Sequence, residues 1–158
     1  MATRIKQIED LEIGPMTEND IGEIMQIETM SFRTPWSPDM FRQDLGFPIA
    51  RCLSARVPGA AAEQLAGYII CWFVADEVHV INIAVRKDFR NRGVATRLVE
   101  EALHLARNER MRYCTLEVRQ SNEAARGLYG RFGFEDRGIR PKYYSDNNED
   151  ALIMWLEL

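Results

Sequence analysis

The hydrophobic periodicity of the chain changes near its middle, and this change limits the folds that the sequence can adopt. Residues 51–57, 64–74 and 78–85 are rich in β-branched and aromatic side chains and are separated by turn signals, which predicts a meander of three strands. Over residues 92–108 the apolar side chains recur at helical spacing instead, so an amphipathic helix is predicted there. Strands and helices that alternate in this way are typical of a mixed α/β domain.

The other predicted elements extend this alternation to both ends of the chain. A first strand is expected at residues 8–13, followed by a helix over the segment after Thr17. A second helix is expected to begin after Ser37, with Pro38 in its first turn, where a missing N–H costs nothing. Downstream we predict a strand at 113–118, a short helix at 122–132, and strands at 133–139 and 151–158.

Length, charge and composition exclude several classes of protein. The 158 residues are enough for one core and contain no repeat, so residues 1–158 are expected to form a single domain. A net charge of -4 argues against general nucleic-acid binding, which needs a basic surface. The longest apolar run, residues 66–75, is about half of the roughly 20 residues that a membrane span needs, and the charged N-terminal segment does not fit a signal peptide. The three cysteines lack metal-site or disulfide spacing, so we expect a cytoplasmic protein with reduced thiols and no metal.

Four cations cluster in the turn before the predicted central helix: Arg86, Lys87, Arg90 and Arg92. A helix N-terminus carries partial positive charge, so each cation is disfavoured beside it by roughly 0.3 to 1 kcal/mol. The same unpaired N–H groups attract anions, and Gly93 lets the backbone approach a ligand closely, so a bound phosphate would reverse the penalty. The segment is neither a P-loop nor a dinucleotide fingerprint. The alternative is a solvated basic turn.

Two titratable side chains further along the chain have positions that the sequence pattern predicts. Alternation along residues 113–119 places Glu117 on the more polar face of an otherwise apolar strand. Tyr129 shares one face of the next helix with Asn122, which lies two turns earlier. The alternatives are a surface Glu117 that pairs with Arg119, and a Tyr129 that only packs in the core.

Seven short segments, in order, resemble those of a known family. They are PWS (35–37), NIAV (82–85), RNRGVA (90–95), LEVRQSNEAARGLY (116–129), FGFE (132–135), RPKYY (140–144) and DALIMWL (150–156). RNRGVA is similar to the R/Q-x-x-G-x-G/A pyrophosphate loop of the GNAT superfamily of acetyl-coenzyme A dependent N-acetyltransferases, with alanine in place of the second glycine. The full set most resembles the bacterial ribosomal-protein-alanine N-acetyltransferases. The resemblance implies the α/β GNAT fold, a mixed, mostly antiparallel central sheet of about seven strands with about four helices.

The resemblance also implies a reaction and its catalytic groups. In this family an acetyl group passes directly from the thioester of acetyl-coenzyme A to an amine. Glu117 matches the general base, which often acts through water, and Tyr129 matches the acid that protonates the departing thiolate. An α-amine has a reference pKa of roughly 7.7 to 8, against about 10.4 for lysine, so a modest base favours a protein N-terminus as the acceptor.

The acetyl donor is expected to bind along one strand and the loop that follows it. The resemblance implies that backbone N–H groups of Ile83, Ala84 and Val85 polarise the thioester carbonyl, and that Asn122 contacts the pantetheine arm. Without the resemblance, Asn122 is explained as a helix cap, a role that Ser121 could fill equally well. The implied pyrophosphate loop consists of Asn91, Arg92, Gly93, Val94, Ala95 and Thr96.

The acceptor side is indicated mainly by aromatic residues. Trp36, Tyr143 and Tyr144 match residues that line the peptide groove in the family, although aromatic side chains in such positions can also pack two lobes together. Four acids could attract a basic peptide or simply belong to solvated segments: Glu28, Asp146, Glu149 and Asp150.

The leading hypothesis is a protein Nα-acetyltransferase that acts on the N-terminal alanine of small-subunit ribosomal protein eighteen. Neither His79 nor His104 has a recognisable Cys–His context, so direct transfer without an acyl-enzyme is expected. We expect no direct contact with nucleic acid or membrane. Two alternatives stay open: an acetyltransferase for small amines or a wider set of protein N-termini, and a non-catalytic module that senses acetyl-coenzyme A.

Overall fold

Within residues 8, 10–59 and 62–158, which the computed structural model describes, seven strands form one mixed sheet. Neighbouring strands are antiparallel except for one parallel pair, which β4 and β5 form. The predicted fold class, a mostly antiparallel α/β sheet, is therefore confirmed. The strands are β1 (Glu12–Pro15), β2 (Ala50–Val57), β3 (Gln64–Val74), β4 (Glu77–Val85), β5 (Tyr113–Arg119), β6 (Glu135–Tyr144) and β7 (Glu149–Glu157), in the spatial order β1-β2-β3-β4-β5-β7-β6.

The α-helices of the described residues are α1 (Ile21–Ser31), α2 (Pro38–Leu45), α3 (Val94–Asn108) and α4 (Glu123–Arg131). A short 3-10 turn, Glu18–Asp20, leads into α1. The predicted start of α2 is confirmed, because the Ser37 hydroxyl accepts a hydrogen bond from the Met40 N–H at 3.3 Å and Pro38 occupies the first turn.

Helices cover the two faces of the sheet unequally. Helices α1 and α2 pack against β2, β3 and β4 on one face, and α3 packs against β1 to β4 on the other. We call strands β1 to β4 the covered half and strands β5, β7 and β6 the open half. On the face that α1 shares, the side chains of β5 are only partly buried, whereas those on its other face are fully buried. The open half thus keeps one accessible polar face.

The contact between β4 and β5 is short. Parallel pairing joins Glu77–Val80 to Tyr113–Leu116 and ends there. Beyond that point β4 continues along β3, and β5 continues along β7. The two central strands therefore separate, and a gap opens in the sheet between residues 81–85 of β4 and residues 117–119 of β5.

A β-bulge lies in β4 just where the gap begins. Val80 pairs with Cys71 and Asn82 pairs with Ile70, so Ile81 is an extra residue in the ladder. Because side chains alternate along a strand, the extra residue lets His79 and Asn82 lie on the same face of the sheet although they are three positions apart.

Several observed bounds differ from the predicted ones by one or two residues, and three differences affect the interpretation. The first strand begins at Glu12 rather than at residue 8, and part of the predicted range lies outside the described residues. Helix α3 begins at Val94, so Arg92 precedes the helix. Strand β6 runs on to Tyr144 instead of ending at residue 139, because it is the edge strand and its pairing with β7 shifts between Arg140 and Tyr144, where Pro141 is tolerated.

Candidate active site

The loop before α3 has the backbone of an anion-binding helix start. Gly93 has φ +86°, in the left-handed region that favours glycine, and it occupies the N-cap without capping the helix through a side chain. The first turn contains no acidic residue, and the helix ladder begins with the N–H of Arg97 bonded to the Gly93 carbonyl at 3.1 Å. The N–H groups of Val94, Ala95 and Thr96 are therefore oriented towards an anion in front of the helix.

The four cations of this turn do not act as one cluster. Arg90 donates to the Val85 carbonyl at 3.0 Å and to the Ser31 hydroxyl at 3.2 Å, which ties the turn to α1. Arg86 pairs with Asp88 at 3.0 Å. The guanidinium groups of Arg86 and Arg92 lie over the Phe89 ring, at 5.7 and 5.6 Å from its centroid. Part of the predicted basic patch thus links the turn to α1 through Arg90, and Arg92 lies beside the start of the helix.

Strand β4 presents backbone groups to the gap in the sheet. Ile83, Ala84 and Val85 pair with β3 through Ile69, Tyr68 and Gly67. Successive peptide groups of a strand point to opposite sides, so β3 engages only alternate groups and the others face the gap. Backbone N–H groups of residues 83–85 that face the gap could polarise a carbonyl placed there. That role stays a prediction.

Glu117 lies at the edge of the gap, on the accessible face of β5. Its side chain is 11% exposed, its Oε2 lies 2.5 Å from the His79 Nε2, and its Oε1 accepts from the Arg140 Nε at 3.2 Å. The hydrogen bond with His79 lowers the pKa of Glu117, burial opposes this, and the charges of His79 and Arg140 lower the pKa further. The site therefore favours the ionised carboxylate.

Arg119 does not pair with Glu117, so that alternative is wrong. Its guanidinium binds Asp146 at 2.8 Å and Glu149 at 3.4 Å, and it lies 3.9 Å from the centroid of the Tyr144 ring. The pairs hold the β6–β7 hairpin against the end of β5. The segment 145–150, considered above as a solvated turn, is therefore attached to the site by charge.

Tyr129 is buried among the core side chains of β5. The side chain is 4% exposed, packs edge-on against Phe134 at 5.6 Å, and belongs to the same core cluster as Cys114, Leu116 and Val118, on the face of β5 opposite to Glu117. Burial raises the pKa of the Tyr129 hydroxyl. Burial likewise raises the pKa of Tyr144 to about 12. Both phenols therefore stay protonated near neutral pH.

Asn122 caps α4, which is the role that the sequence predicts for it without the family resemblance. Its Oδ1 accepts from the Ala125 N–H at 3.1 Å, and Ser121 does not take this role. A contact with the acetyl donor, as the family resemblance implies, would have to use the amide nitrogen of Asn122.

The aromatic residues of the acceptor side differ in exposure. Trp36 packs against Phe41 at 5.1 Å between ring centroids, which supports a packing role for Trp36. Tyr143 is 49% exposed, and its ring meets that of Tyr144 at 5.1 Å and 88°. Tyr143 is thus exposed and Tyr144 is half-buried beside it at the end of β6.

Glu28 is not free to attract a basic peptide, which was one of the two roles considered for it above. It is 1% exposed and accepts hydrogen bonds from the Tyr68 hydroxyl, from Asn82 Nδ2 at 3.1 and 3.2 Å, and from the Trp36 N–H at 3.2 Å. These bonds tie α1 to β3, β4 and the α1–α2 loop. Asp150 is also occupied, since its Oδ1 accepts from the Lys142 N–H at 2.9 Å.

His79 and Arg140 are site residues that the sequence analysis does not single out for Glu117. They come from β4 and β6, and only the register of the sheet brings them to β5. The signal in the sequence is weak: His79 is a polar residue inside an apolar strand.

A cavity of about 570 Å³ between α1 and the turn at 86–90 is lined by neither Glu117 nor Tyr129.

Thiol and metal chemistry find little support in the described residues. The three cysteines are free; Cys71 and Cys114 are buried, and burial raises the pKa of Cys114 to about 12 and that of Cys52 to about 11. Across residues 8, 10–59 and 62–158 no set of three His, Cys, Asp or Glu side chains is placed to hold a metal ion. In the same residues no helix has the length and apolar character needed to cross a membrane.

Comparison with known proteins assigns the chain and its fold to a family. Residues 21–134 match the Acetyltransferase (GNAT) family. The chain is 40% identical, over 90% of its length and 93% of the relative's, to a Bacillus subtilis (strain 168) protein named provisionally as a ribosomal protein bS18-alanine N-acetyltransferase. It is 34% identical to the Salmonella typhimurium enzyme of that name, with 92% and 97% covered. The crystal structure of the Escherichia coli ribosomal-protein-S18-alanine N-acetyltransferase superposes with a TM-score of 0.84 at 30% identity, and 93% of each chain is covered. The chain therefore belongs to the acetyltransferase (GNAT) family.

Proposed function

We propose that this acetyltransferase transfers the acetyl group of acetyl-coenzyme A to the α-amine of a protein N-terminus, with the N-terminal alanine of ribosomal protein bS18 as acceptor. The names of relatives at 40% and 34% identity support this acceptor. The observation that carries the proposal is the largely buried Glu117 carboxylate at the gap between β4 and β5, held there by His79 and Arg140. We further propose that residues 1–158 form one domain that works in the cytoplasm.

The acetyl donor fits the loop and strand described above. When bound, acetyl-coenzyme A supplies a thioester carbonyl that an amine can attack. The N–H groups at the start of α3 would hold its pyrophosphate, with Asn91 and Arg92 from the preceding turn. The gap-facing N–H groups of residues 83–85 would orient and polarise the carbonyl, and Asn122 would contact the pantetheine arm.

Glu117 and Tyr129 would divide the proton transfers. Glu117, whose pKa is lowered by the hydrogen bond with His79, removes a proton from the acceptor amine, directly or through water. Tyr129, a buried phenol that keeps its proton near neutral pH, gives one to the thiolate as the C–S bond breaks. The amine loses one proton when it becomes an amide, and the thiolate gains one proton. The number of protons is therefore conserved in the reaction.

The cysteines support direct transfer. Cys52, Cys71 and Cys114 all have a raised pKa because of burial, so they are poor nucleophiles near neutral pH. An acetylated cysteine intermediate would need a thiolate that these sites disfavour. Trp36, Tyr143 and Tyr144 would shape the groove in which the first residues of the acceptor lie.

Mass spectrometry of mixed acceptors tests the proposal. The protein is incubated with acetyl-coenzyme A and three acceptors: a peptide with the N-terminal sequence of bS18, the same peptide with a blocked N-terminus, and a polyamine. We expect one added acetyl group on the α-amine of the first peptide and none on the blocked peptide. Acetylation of the polyamine alone would refute the assignment of a protein acceptor.

A further inference from the structure

The face of the sheet that carries Glu117 continues away from the gap as two rows of side chains in register. The first row crosses five strands, because each of its members pairs with the next: Trp72, His79, Thr115, Trp155 and Glu135. The second row lies one step further from the gap and consists of Val74, Glu77, Tyr113 and Glu157. Paired residues direct their side chains to the same face, so both rows lie on the face where Glu117 is accessible.

Aromatic rings line the two rows. The Trp155 ring lies 5.1 Å from that of Tyr113, and both side chains are half-buried. Towards α2, the Trp72 indole donates to the Asp44 Oδ2 at 3.2 Å, which fixes its orientation, and it meets the Phe47 ring edge-on at 5.6 Å. Helices α1 and α2 pack on β2 to β4, so the rows stay partly exposed on β5 and β7. We define the aromatic groove as Trp72, Glu77, Tyr113, Trp155 and Glu157.

The end of the aromatic groove that is remote from the gap is acidic. Glu77 and Glu157 are both exposed and lie on either side of Tyr113. In the part of the chain that the structure describes, neither carboxylate has an ion-pair partner. The basic side chains around the groove already have anionic partners: Arg112 has Asp76 at 3.7 Å, Arg137 has Glu135 at 4.0 Å, and His79 and Arg140 have Glu117. Two negative charges are therefore available to a cation from another molecule.

The rings of the groove also suit a cation. The guanidinium of Arg112 lies 5.3 Å from the centroid of the Tyr113 ring, so this surface already holds one cation on an aromatic face. Among the described residues no guanidinium lies over the ring of Trp155. A lysine or arginine of a partner could therefore contact this ring and an acidic side chain together.

One extended chain can span the distance from Glu117 to the far end of the groove. Thr115 and Tyr113 precede Glu117 on the same face of β5 by two and four positions, which corresponds to about 7 and 13 Å. An extended polypeptide advances by about 3.3 to 3.6 Å per residue. A chain whose first amine lies at Glu117 would thus reach the tryptophan row with about its third residue and the acidic row with about its fifth.

We propose that the aromatic groove binds the acceptor polypeptide downstream of its N-terminus and favours acceptors with lysine or arginine at about the fourth to sixth positions. This inference rests on the proposed function and adds a substrate class to it, an N-terminus followed by an extended basic segment. The cationic ends of the acceptor side chains reach Glu77 and Glu157, and their apolar stems pack on Tyr113 and Trp155. The groove contains no group that takes part in acetyl transfer, so it changes the affinity for the acceptor rather than the chemical step.

The test compares two long acceptor peptides that share the first three residues of bS18 and carry either arginine or glutamine at the next three positions. For the wild type we expect KM to be about 3- to 10-fold lower for the arginine peptide, with equal kcat and a smaller difference at high salt. In the double variant Glu77→Gln, Glu157→Gln this difference should shrink to less than about twofold. The double variant Glu100→Gln, Glu101→Gln makes the same charge change at exposed positions of α3 and should behave as the wild type.

A change in the rings provides a second measurement. Trp155→Ala should raise KM for both long peptides and leave KM for an alanine dipeptide amide, which is too short to reach the groove, within about twofold. Equal KM values of the wild type for the arginine and glutamine peptides overturn the proposal. A dimer in sedimentation that Trp155→Ala dissociates also overturns it, because a second copy then covers the groove. If the wild type acetylates none of these peptides, the proposed function fails instead, and this outcome is read before any variant is compared.

Discussion

Glu28 on α1, which packs on the covered half of the sheet, and Glu117 in the open half are both held away from bulk water, but by different kinds of partner. Glu28 is 1% exposed and accepts hydrogen bonds from neutral donors, namely the Tyr68 hydroxyl, the Asn82 amide and the Trp36 N–H. Glu117 is 11% exposed, and its partners are an imidazole and a guanidinium. The Glu28 carboxylate is therefore enclosed by protein, whereas the Glu117 carboxylate lies beside the gap between β4 and β5.

The difference matches a structural role for Glu28 and the proposed role of Glu117 as a base. Neutral donors from three elements fix Glu28 in one place and link α1 to the sheet, and none of them can exchange a proton with it near neutral pH. The hydrogen bond with His79 and the charge of Arg140 favour the ionised form of Glu117. We therefore expect the two glutamates to have distinct roles because their neighbours differ in charge and exposure.

The same substitution at both positions tests this distinction, and the largest effect is expected for Glu117→Gln. The amide cannot remove a proton, so kcat should fall about 1,000-fold. The free energy of unfolding should change by less than about 1 kcal/mol, because His79 and Arg140 are partly exposed and can turn to water. Steady-state kinetics and urea unfolding measure the two quantities. Glu101→Gln, an exposed change on α3, is the control, and a fully active E117Q would contradict the assignment of the base.

The reverse pattern is expected for Glu28→Gln. An amide keeps the shape of the side chain but turns an NH₂ group towards the donors of Asn82 and Trp36, so the free energy of unfolding should fall by about 2 kcal/mol. The kcat of the folded protein at low temperature should stay within about threefold of the wild type, since Glu28 exchanges no proton. Urea unfolding and kinetics below the melting range check this. A large loss of kcat with unchanged stability would place Glu28 in the reaction.

The smallest effects are expected at Asn122, where an observed helix cap and a proposed ligand contact overlap. Asn122→Ser keeps a capping oxygen for the Ala125 N–H, and Asn122→Ala removes it, so only the alanine variant should lose about 1 kcal/mol of stability. Both variants lack the amide nitrogen, so both should raise KM for acetyl-coenzyme A by a few-fold, about 1 kcal/mol in binding. Ser37→Ala, which removes the cap of α2, is the matched control because it should affect stability alone. An unchanged KM in both Asn122 variants would leave this residue as a cap only.

Much of the fold could be predicted from the sequence because its signals are local. Strand β3 has the predicted bounds, residues 64–74, and Ser37 and Pro38 mark the start of α2 as expected. The alternation along β5 places Glu117 opposite a buried face, as predicted. Each of these features depends on residues within one element, and periodicity or capping chemistry encodes them directly.

The partners of Glu117 could not be predicted, because they depend on how distant strands align. His79 and Arg140 are separated from Glu117 by tens of positions, and a parallel pair such as β4 and β5 has no hairpin to fix its register. Burial of Glu28 was missed for the same reason, since Tyr68 and Asn82 reach it only after β3 and β4 pair beneath α1. The roles of Tyr129, of the loop at 91–96 and of residues 83–85 remain predictions that their positions support.

The extra residue in β4 is a place at which this strand can tolerate a change of length. His79 and Asn82 lie on one face of the sheet although they are three positions apart, because Ile81 is an extra residue in the ladder between them. Deletion of Ile81 would leave them two positions apart in a regular ladder, so both side chains would keep that face. A one-residue deletion elsewhere in β4 would instead reverse every side chain that follows it. At the bulge, therefore, β4 can lose a residue and still direct the imidazole towards Glu117 and the amide towards Glu28.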